Sequence, residues 1–208
     1  TEAVTTTPAE TVETTAETTA DVIETVDGTI ESMEETQAEA LQSIRIYGTV
    51  TRDESGRLTI DNQSGQSYSG EIVLNVSDEE TLVLDAVEGL PVNIEDIKDG
   101  DTVYVYISQA MTMSLPPQTS AEMILCNIPA DFKVPDYVTV DSVVTDAASS
   151  KAELTTADGA TFEIPSDCTI LPYLTKNIVT MDDLSQGRTC LIWSDDQGVA
   201  QKIVVFAE

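Results

Sequence analysis

One sixteen-residue pattern occurs twice in this chain, and it constrains the fold more than any other feature. Residues 91–106 and 178–193 align without a gap, and their glycines and apolar positions coincide. The alignment continues upstream, where 81–84 lie opposite 168–171, and a shifted match places 121–126 opposite 200–205. The chain therefore contains two copies of one unit of roughly 70 to 85 residues.

From Ile44 onward, short alternating apolar segments are separated by Gly, Asp, Asn and Pro, a pattern typical of antiparallel β-proteins. In the first copy it predicts strands at 44–51, 57–61, 71–76, 81–85, 102–108 and 121–128, and the set then repeats. A short helical turn precedes the longest strand of each copy. Asn93 and Thr180 are the predicted caps of these turns, and Asp96 and Asp183 suit their positive ends.

Five or six short strands with one helical turn predict a small closed barrel of the oligonucleotide/oligosaccharide-binding (OB) type, with a small sandwich as the alternative. The expected fold class is therefore all-β, with two tandem OB-like barrels. The first domain spans 44–130 and the second 138–208. Between them, residues 131–137 form a short linker, with Pro129 just before it and Pro135 within it.

Residues 1–43 differ in composition from the rest. They contain 11 acidic residues, no basic residue and no aromatic, and they are dominated by Thr, Glu and Ala. This composition predicts a disordered, self-repelling spacer. An approximate heptad seam leaves two alternatives, a coiled-coil stalk or a short helix near 29–43. The seam consists of Val12, Ala16, Thr19, Ile23, Val26, Ile30, Met33, Ala40 and Ile44.

The charge balance excludes several functions. The 208 residues include 38 acidic and 9 basic residues and no histidine, for a formal net charge of −29. Nucleic acid and anionic lipid need Lys or Arg as counterions, and many hydrolases and zinc sites need imidazole. No apolar run is long enough to span a membrane. We expect a non-catalytic protein.

The chain begins at Thr1 without a signal-peptide core, which suggests that a leader has been removed. We therefore expect bacterial-type export to an extracellular or envelope-anchored location.

Three cysteines, Cys126, Cys168 and Cys190, allow at most one internal disulfide and fit no zinc pattern. Either all three are small buried hydrophobic residues, or Cys168 and Cys190 form a bridge within the second domain.

An aromatic stripe follows the longest strand of each copy. If Val103 and Val105 face the core, then Tyr104, Tyr106 and, in the second copy, Trp193 point outward. These three could form a ligand or partner face that stacks on sugar rings or anchors a protein. The alternative is that they pack under a loop or between the two copies.

Acidic clusters supply oxygen ligands that could bind calcium. They lie at 78–80, 99–101, 182–183 and 195–198, and none has the ordered spacing of a calcium-binding loop. We expect no cofactor, with calcium as the one possible exception. Carboxylate pairs could also hydrolyse glycosides, but the sequence places no two of them across a cleft.

After the Gly100-Asp101 strand start comes the loop 111–121, with the sequence Met-Thr-Met-Ser-Leu-Pro-Pro-Gln-Thr-Ser-Ala. The first copy, over roughly residues 45–130, resembles secreted domains of unknown function from Gram-positive anaerobes. In those domains a Thr-x-Ser-x-Pro-Pro-Gln loop precedes the last strand, sometimes beside copper-amine-oxidase-like domains. The resemblance marks four loop residues but implies no activity; they are Ser114, Pro116, Pro117 and Gln118. In the second copy, residues 195–198 replace the Pro-Pro segment of this loop.

These observations favour an exported accessory protein that binds a protein or glycan at the cell surface. The alternative is a structural subunit of an extracellular assembly that self-associates through residues 1–43. A weaker alternative is a calcium-dependent adhesion module.

Overall fold

The first copy of the repeat folds into a closed five-stranded barrel with one added strand. In the computed structural model, which describes residues 43–146, 151–175 and 177–207, every regular element except two short turns is a β-strand. The strands of the first copy are β1 (Ile44–Arg52), β2 (Leu58–Asn62), β3 (Gly70–Asn75), β4 (Leu82–Asp85), β5 (Thr102–Ile107) and β6 (Gln118–Cys126).

Closure of this barrel depends on one parallel pairing. The order β3-β2-β1-β5-β6 is antiparallel throughout, and β3 then pairs with β6 in parallel, with Val73 opposite Gln118. The ring that results removes the free edges that an open sheet would expose. β4 lies outside the ring and pairs in parallel with the second half of β6.

The second copy repeats this topology. Its strands are β7 (Asp136–Asp146), β8 (Lys151–Thr156), β9 (Thr161–Ile164), β10 (Thr169–Pro172), β11 (Thr189–Ser194) and β12 (Ala200–Val205). They form a sheet in the order β9-β8-β7-β11-β12-β10, the same order as in the first copy. Here Glu163 of β9 forms an isolated parallel bridge with Val199, the residue just before β12.

Two cores follow from the alternation of buried and exposed residues along the strands. Inward residues fill each barrel because burying their apolar surface is the main favourable term in folding. In the first copy the fully buried side chains include Ile46, Ile60, Ile72, Val103, Val105 and Ile124. In the second they include Leu154, Ile164, Cys190, Ile192 and Ile203.

The predicted helical turns are single turns of 3₁₀ helix, Ile94–Asp96 and Met181–Asp183. Asn93 caps the first, its Oδ1 accepting from the Glu95 amide at 3.0 Å. At the second, the Thr180 amide donates to Asp183 Oδ2 at 2.7 Å. The carboxylate of Asp183 thus closes its turn, as a capping box does.

The structure confirms the all-β fold class and the tandem repeat. Each predicted strand of the first copy is present, and the two copies share one order of strands. The start of β7 at Asp136 lies inside the predicted linker 131–137. The predicted tail, with its alternative stalk, lies outside the described residues apart from Ser43.

Candidate functional site

The faces of the two sheets that carry the aromatic stripe pack against each other. A third apolar cluster lies between the copies and draws on both; its buried members include Leu84, Tyr106, Leu125, Leu191, Trp193 and Phe206. We call this cluster the inter-repeat interface. Only 5% of Tyr106 and 8% of Trp193 remain exposed. These two residues therefore do not form a ligand face in this structure, and the alternative prediction, packing between the copies, describes their position.

Polar groups within the inter-repeat interface are paired. Trp193 Nε1 donates to the carbonyl oxygen of Ala86 at 2.8 Å, and the Tyr137 amide donates to the hydroxyl of Tyr106 at 2.9 Å. Burial raises the pKa of Tyr106 to about 12, so its hydroxyl stays protonated. Lys202 lies over the Trp193 ring and donates to the Val87 carbonyl at 2.9 Å. These bonds fix the mutual orientation of the copies.

Tyr104 is the member of the predicted face that stays partly exposed. Its ring stacks on Tyr47, the residue opposite on β1, with centroids 5.2 Å apart. The Arg45 guanidinium lies 4.8 Å from the Tyr104 ring centre and forms an ion pair with Asp136 at 2.5 Å. The guanidinium thus connects the first copy to the start of the second, which gives this aromatic pair a structural role.

The loop between β5 and β6, which we call the Pro-Pro loop, spans residues 108–117. Its conformation is fixed by internal hydrogen bonds. Ser114 Oγ donates to the Pro116 carbonyl at 2.8 Å, and the amide of Gln118 donates to Thr112 Oγ1 at 2.9 Å. The Leu115-Pro116 peptide bond is cis. The Pro117 carbonyl accepts from the Val73 amide at 2.9 Å, so this loop begins the parallel ladder that closes the barrel.

Two large apolar side chains project from this fixed loop. Met113 is fully exposed and Leu115 is 85% exposed. The sequence analysis marked Ser114, Pro116, Pro117 and Gln118 in this loop, and in the structure these residues take part in the hydrogen bonds that hold it. It missed the two residues at the tip. The sequence does contain a signal for them, because Met113 and Leu115 are large apolar residues in a loop between two predicted strands.

The Pro-Pro loop also carries no charge, unlike most of this chain. No acidic or basic residue occurs between Asp101 and Glu122, a run of 20 residues. The adjacent loop, 63–69, is uncharged too, and it touches the Pro-Pro loop where Ser67 Oγ lies 3.7 Å from Met111 Sδ. Tyr68 in that loop is 44% exposed. Together these loops form a neutral, partly apolar surface on an acidic molecule.

A cleft lies further along the same copy, beside β4. We call it the edge cleft. Its lining includes Val76, Leu82, Val83, Val92, Ile94 and Leu174, most of them half-buried and apolar. Of the described residues that line it, Asp78 alone is charged. Leu174, from the second copy, is 65% exposed at its rim.

In two of the acidic clusters predicted as calcium candidates, carboxylates accept hydrogen bonds from backbone amides. Asp99 Oδ1 accepts from the Arg52 amide, and Asp101 Oδ2 accepts from the Lys98 amide at 2.7 Å. Asp195 Oδ1 accepts from two amides of its own turn, those of Gln197 and Val199, each at 2.9 Å. Within the described residues no three acidic or cysteine side chains are grouped to hold a metal ion.

The cysteines are free thiols, so the predicted Cys168–Cys190 bridge is wrong for this structure. Cys126 and Cys190 are buried in the two barrel cores, whereas Cys168 lies at the margin of the second. Burial raises the pKa of Cys126 to about 11 and that of Cys190 to about 12. Thiols this far from ionisation are poor nucleophiles, which fits their position as small core side chains.

A comparison of the sequence with protein-family models found no match, and a comparison with curated proteins found none either. Over the parts of the chain that the structure describes, no helix is long and apolar enough to cross a membrane.

Proposed function

We propose that this chain is an exported, non-catalytic accessory protein that binds a partner protein through the Pro-Pro loop. The single observation that carries the proposal is the exposure of Met113 and Leu115 on a loop whose base is hydrogen-bonded. Apolar side chains held in water are unfavourable unless a partner covers them, and a fixed loop loses little entropy on binding.

The charge distribution supports a protein partner. Interface centres are depleted in charge and enriched in Met and Tyr, and the Pro-Pro loop with its neighbour combines Met113, Leu115 and Tyr68 without a charged residue. The surrounding acidic surface would repel acidic molecules and leave this neutral patch as the approachable region.

A glycan partner is less well supported. The expectation of sugar stacking rested on Tyr104, Tyr106 and Trp193, and two of these are buried between the copies. Met113 and Leu115 offer no hydrogen bond to a sugar hydroxyl. Export itself rests on the resemblance of residues 45–130 to secreted domains and on the composition of residues 1–43.

The test uses two defined probes, a phage-displayed random peptide library and an array of neutral oligosaccharides. We expect the full chain to select peptides that bind the Met113→Ser/Leu115→Ser variant at least about tenfold more weakly. Val144→Ser is the matched control, because Val144 is 66% exposed on β7, outside both loops. Peptides that bind all three proteins equally would refute the proposal, and loop-dependent binding to the array alone would replace protein by glycan.

A further inference from the structure

We propose that the partner of the Pro-Pro loop is a second copy of this chain, which receives Met113 and Leu115 in its edge cleft. This inference rests on the proposed function, since it names the partner of the same loop. The product would be a head-to-tail assembly.

The two surfaces match in chemistry. The Pro-Pro loop presents apolar side chains at its tip, and the edge cleft is lined mainly by half-buried apolar residues. A cleft of this kind gains more from an apolar occupant than from water, because both surfaces then leave solvent.

Charge also favours this pairing of surfaces. Each chain has a formal net charge of −29, so most orientations of two chains bring acidic surfaces together. The loop has no charge to be repelled, and of the described residues that line the cleft only Asp78 carries one. Contact between loop and cleft thus brings together two regions in which Asp78 is the charged residue among those described.

The loop does not fill the cleft of its own chain. Met113 is fully exposed and Leu115 is 85% exposed, so neither side chain is covered by that cleft. The hydrogen bonds at Ser114 and Gln118 hold the loop in this position, so its apolar side chains enter a cleft in another copy of the chain.

The loop of one chain meets the cleft of the next, so an assembly of any length leaves one loop and one cleft free at its ends. A heterologous contact of this kind builds an open filament unless the rotation between neighbouring chains closes a ring. This provides a route to the structural-subunit alternative that uses the β-rich part of the chain instead of residues 1–43.

The experiment measures the mass of the full chain by light scattering and sedimentation velocity across a concentration series. We expect oligomers that grow with concentration for the wild type and for the Val144→Ser control. Both the loop variant, Met113→Ser/Leu115→Ser, and a cleft variant, Leu174→Glu, should associate at least about tenfold more weakly. All four substituted positions are exposed, and circular dichroism would verify that each variant is folded.

A mixture of the two variants gives the sharpest result. The loop variant keeps an intact cleft and the cleft variant keeps an intact loop, so an equimolar mixture should form a one-to-one dimer and stop there. A wild type that stays monomeric at every concentration would overturn the inference, as would oligomers that persist in the loop variant. A cleft variant that associates like the wild type, while the loop variant is monomeric, would point to a loop-to-loop contact and overturn the role of the cleft. Variants that are monomeric alone and also in the mixture would overturn the contact between loop and cleft.

Failure of this inference can be separated from failure of the proposed function. A monomeric wild type that still selects loop-dependent peptides would leave the binding function in place with a different protein as partner. Loss of both results would remove the loop as a binding site.

Discussion

The indole nitrogen of Trp193 donates a hydrogen bond to the carbonyl oxygen of Ala86 at 2.8 Å, joining residues that are 107 positions apart. The indole ring also lies against Gly89 and beneath the ammonium group of Lys202, which is 3.7 Å from the ring centre. One side chain of the second copy is therefore held by a turn of the first. This explains how two small barrels, each with a modest core, are joined into one unit.

Substitution of Trp193 should destabilise the whole β-rich part of the chain. Trp193→Phe removes the donor to the buried Ala86 carbonyl and should lower the free energy of unfolding by about 1–3 kcal/mol. Trp193→Ala also leaves a cavity in the inter-repeat interface and should cost about 3–5 kcal/mol. Chemical denaturation followed by circular dichroism measures both. A loss below about 0.5 kcal/mol for the alanine variant would mean that the interface contributes little to stability.

Gly89 is a position where both backbone and space require glycine. Its φ is +72°, and a Cβ there would lie 2.6 Å from Trp193 Cη2. Gly89→Ala should therefore destabilise through backbone strain and through displacement of the indole. Gly65→Ala is a close control, because Gly65 has φ +71° with no atom within 4 Å of the added carbon.

Gly65→Ala should lower the free energy of unfolding by about 1 kcal/mol, through backbone strain alone. Gly89→Ala should lower it by at least about 1 kcal/mol more. Denaturant titration measures the difference. Equal losses would show that the indole moves aside freely.

Tyr106 should contribute to stability through its hydroxyl. That oxygen accepts the amide of Tyr137 at 2.9 Å within the inter-repeat interface. Tyr106→Phe keeps the ring but leaves a buried amide without its acceptor, which should cost about 1–3 kcal/mol. Tyr68→Phe removes an exposed hydroxyl and should change the free energy of unfolding by less than about 0.5 kcal/mol. Equal effects in the two variants would contradict the role of the Tyr106 hydroxyl.

The sequence predicted the fold well because its signals are local and repeated. Alternating apolar residues set the strands, and residues 91–106 and 178–193 occupy equivalent elements in the two copies. The cap predicted at Asn93 is confirmed for the same reason, since a cap depends on residues within one turn.

The candidate site was harder to predict because it depends on packing between distant residues. An outward-facing Tyr106 looks the same in sequence whether it meets water, a ligand or another barrel. The edge cleft combines Val76 and Leu82 with Leu174 from the second copy, and no spacing in the sequence brings these together. The alternative of a Cys168–Cys190 bridge was based on the position of both cysteines in one predicted domain, which carries no information on the distance between them.

Asp85 should make the free energy of unfolding depend on pH in the acidic range. Its Oδ1 accepts from the amides of Val87 and Glu88, each at 2.9 Å, and its Oδ2 accepts from Asn127 Nδ2. Partial burial alone would raise the pKa of this carboxyl, but the Glu88 amide, the Asn127 side chain and the Val87 amide together lower it below 3.8. These bonds hold the turn that carries Ala86 and Gly89 against Trp193.

Because the folded pKa is depressed, the folded state binds fewer protons than the unfolded state. The stabilisation from the charged carboxylate is complete above the unfolded value of about 3.9 and is lost as the pH falls through the lower folded value. Asp85→Asn cannot ionise, and it places an amide group against Asn127. We expect the variant to be about 1 kcal/mol less stable than the wild type at pH 7, with the gap closing as the pH falls through the lowered folded pKa of Asp85. Urea titrations of both proteins from pH 7 to pH 2 measure this, with Asp182→Asn, an exposed carboxylate outside the turn, as control. A gap that stays constant with pH would show that the charge on Asp85 does not stabilise the turn.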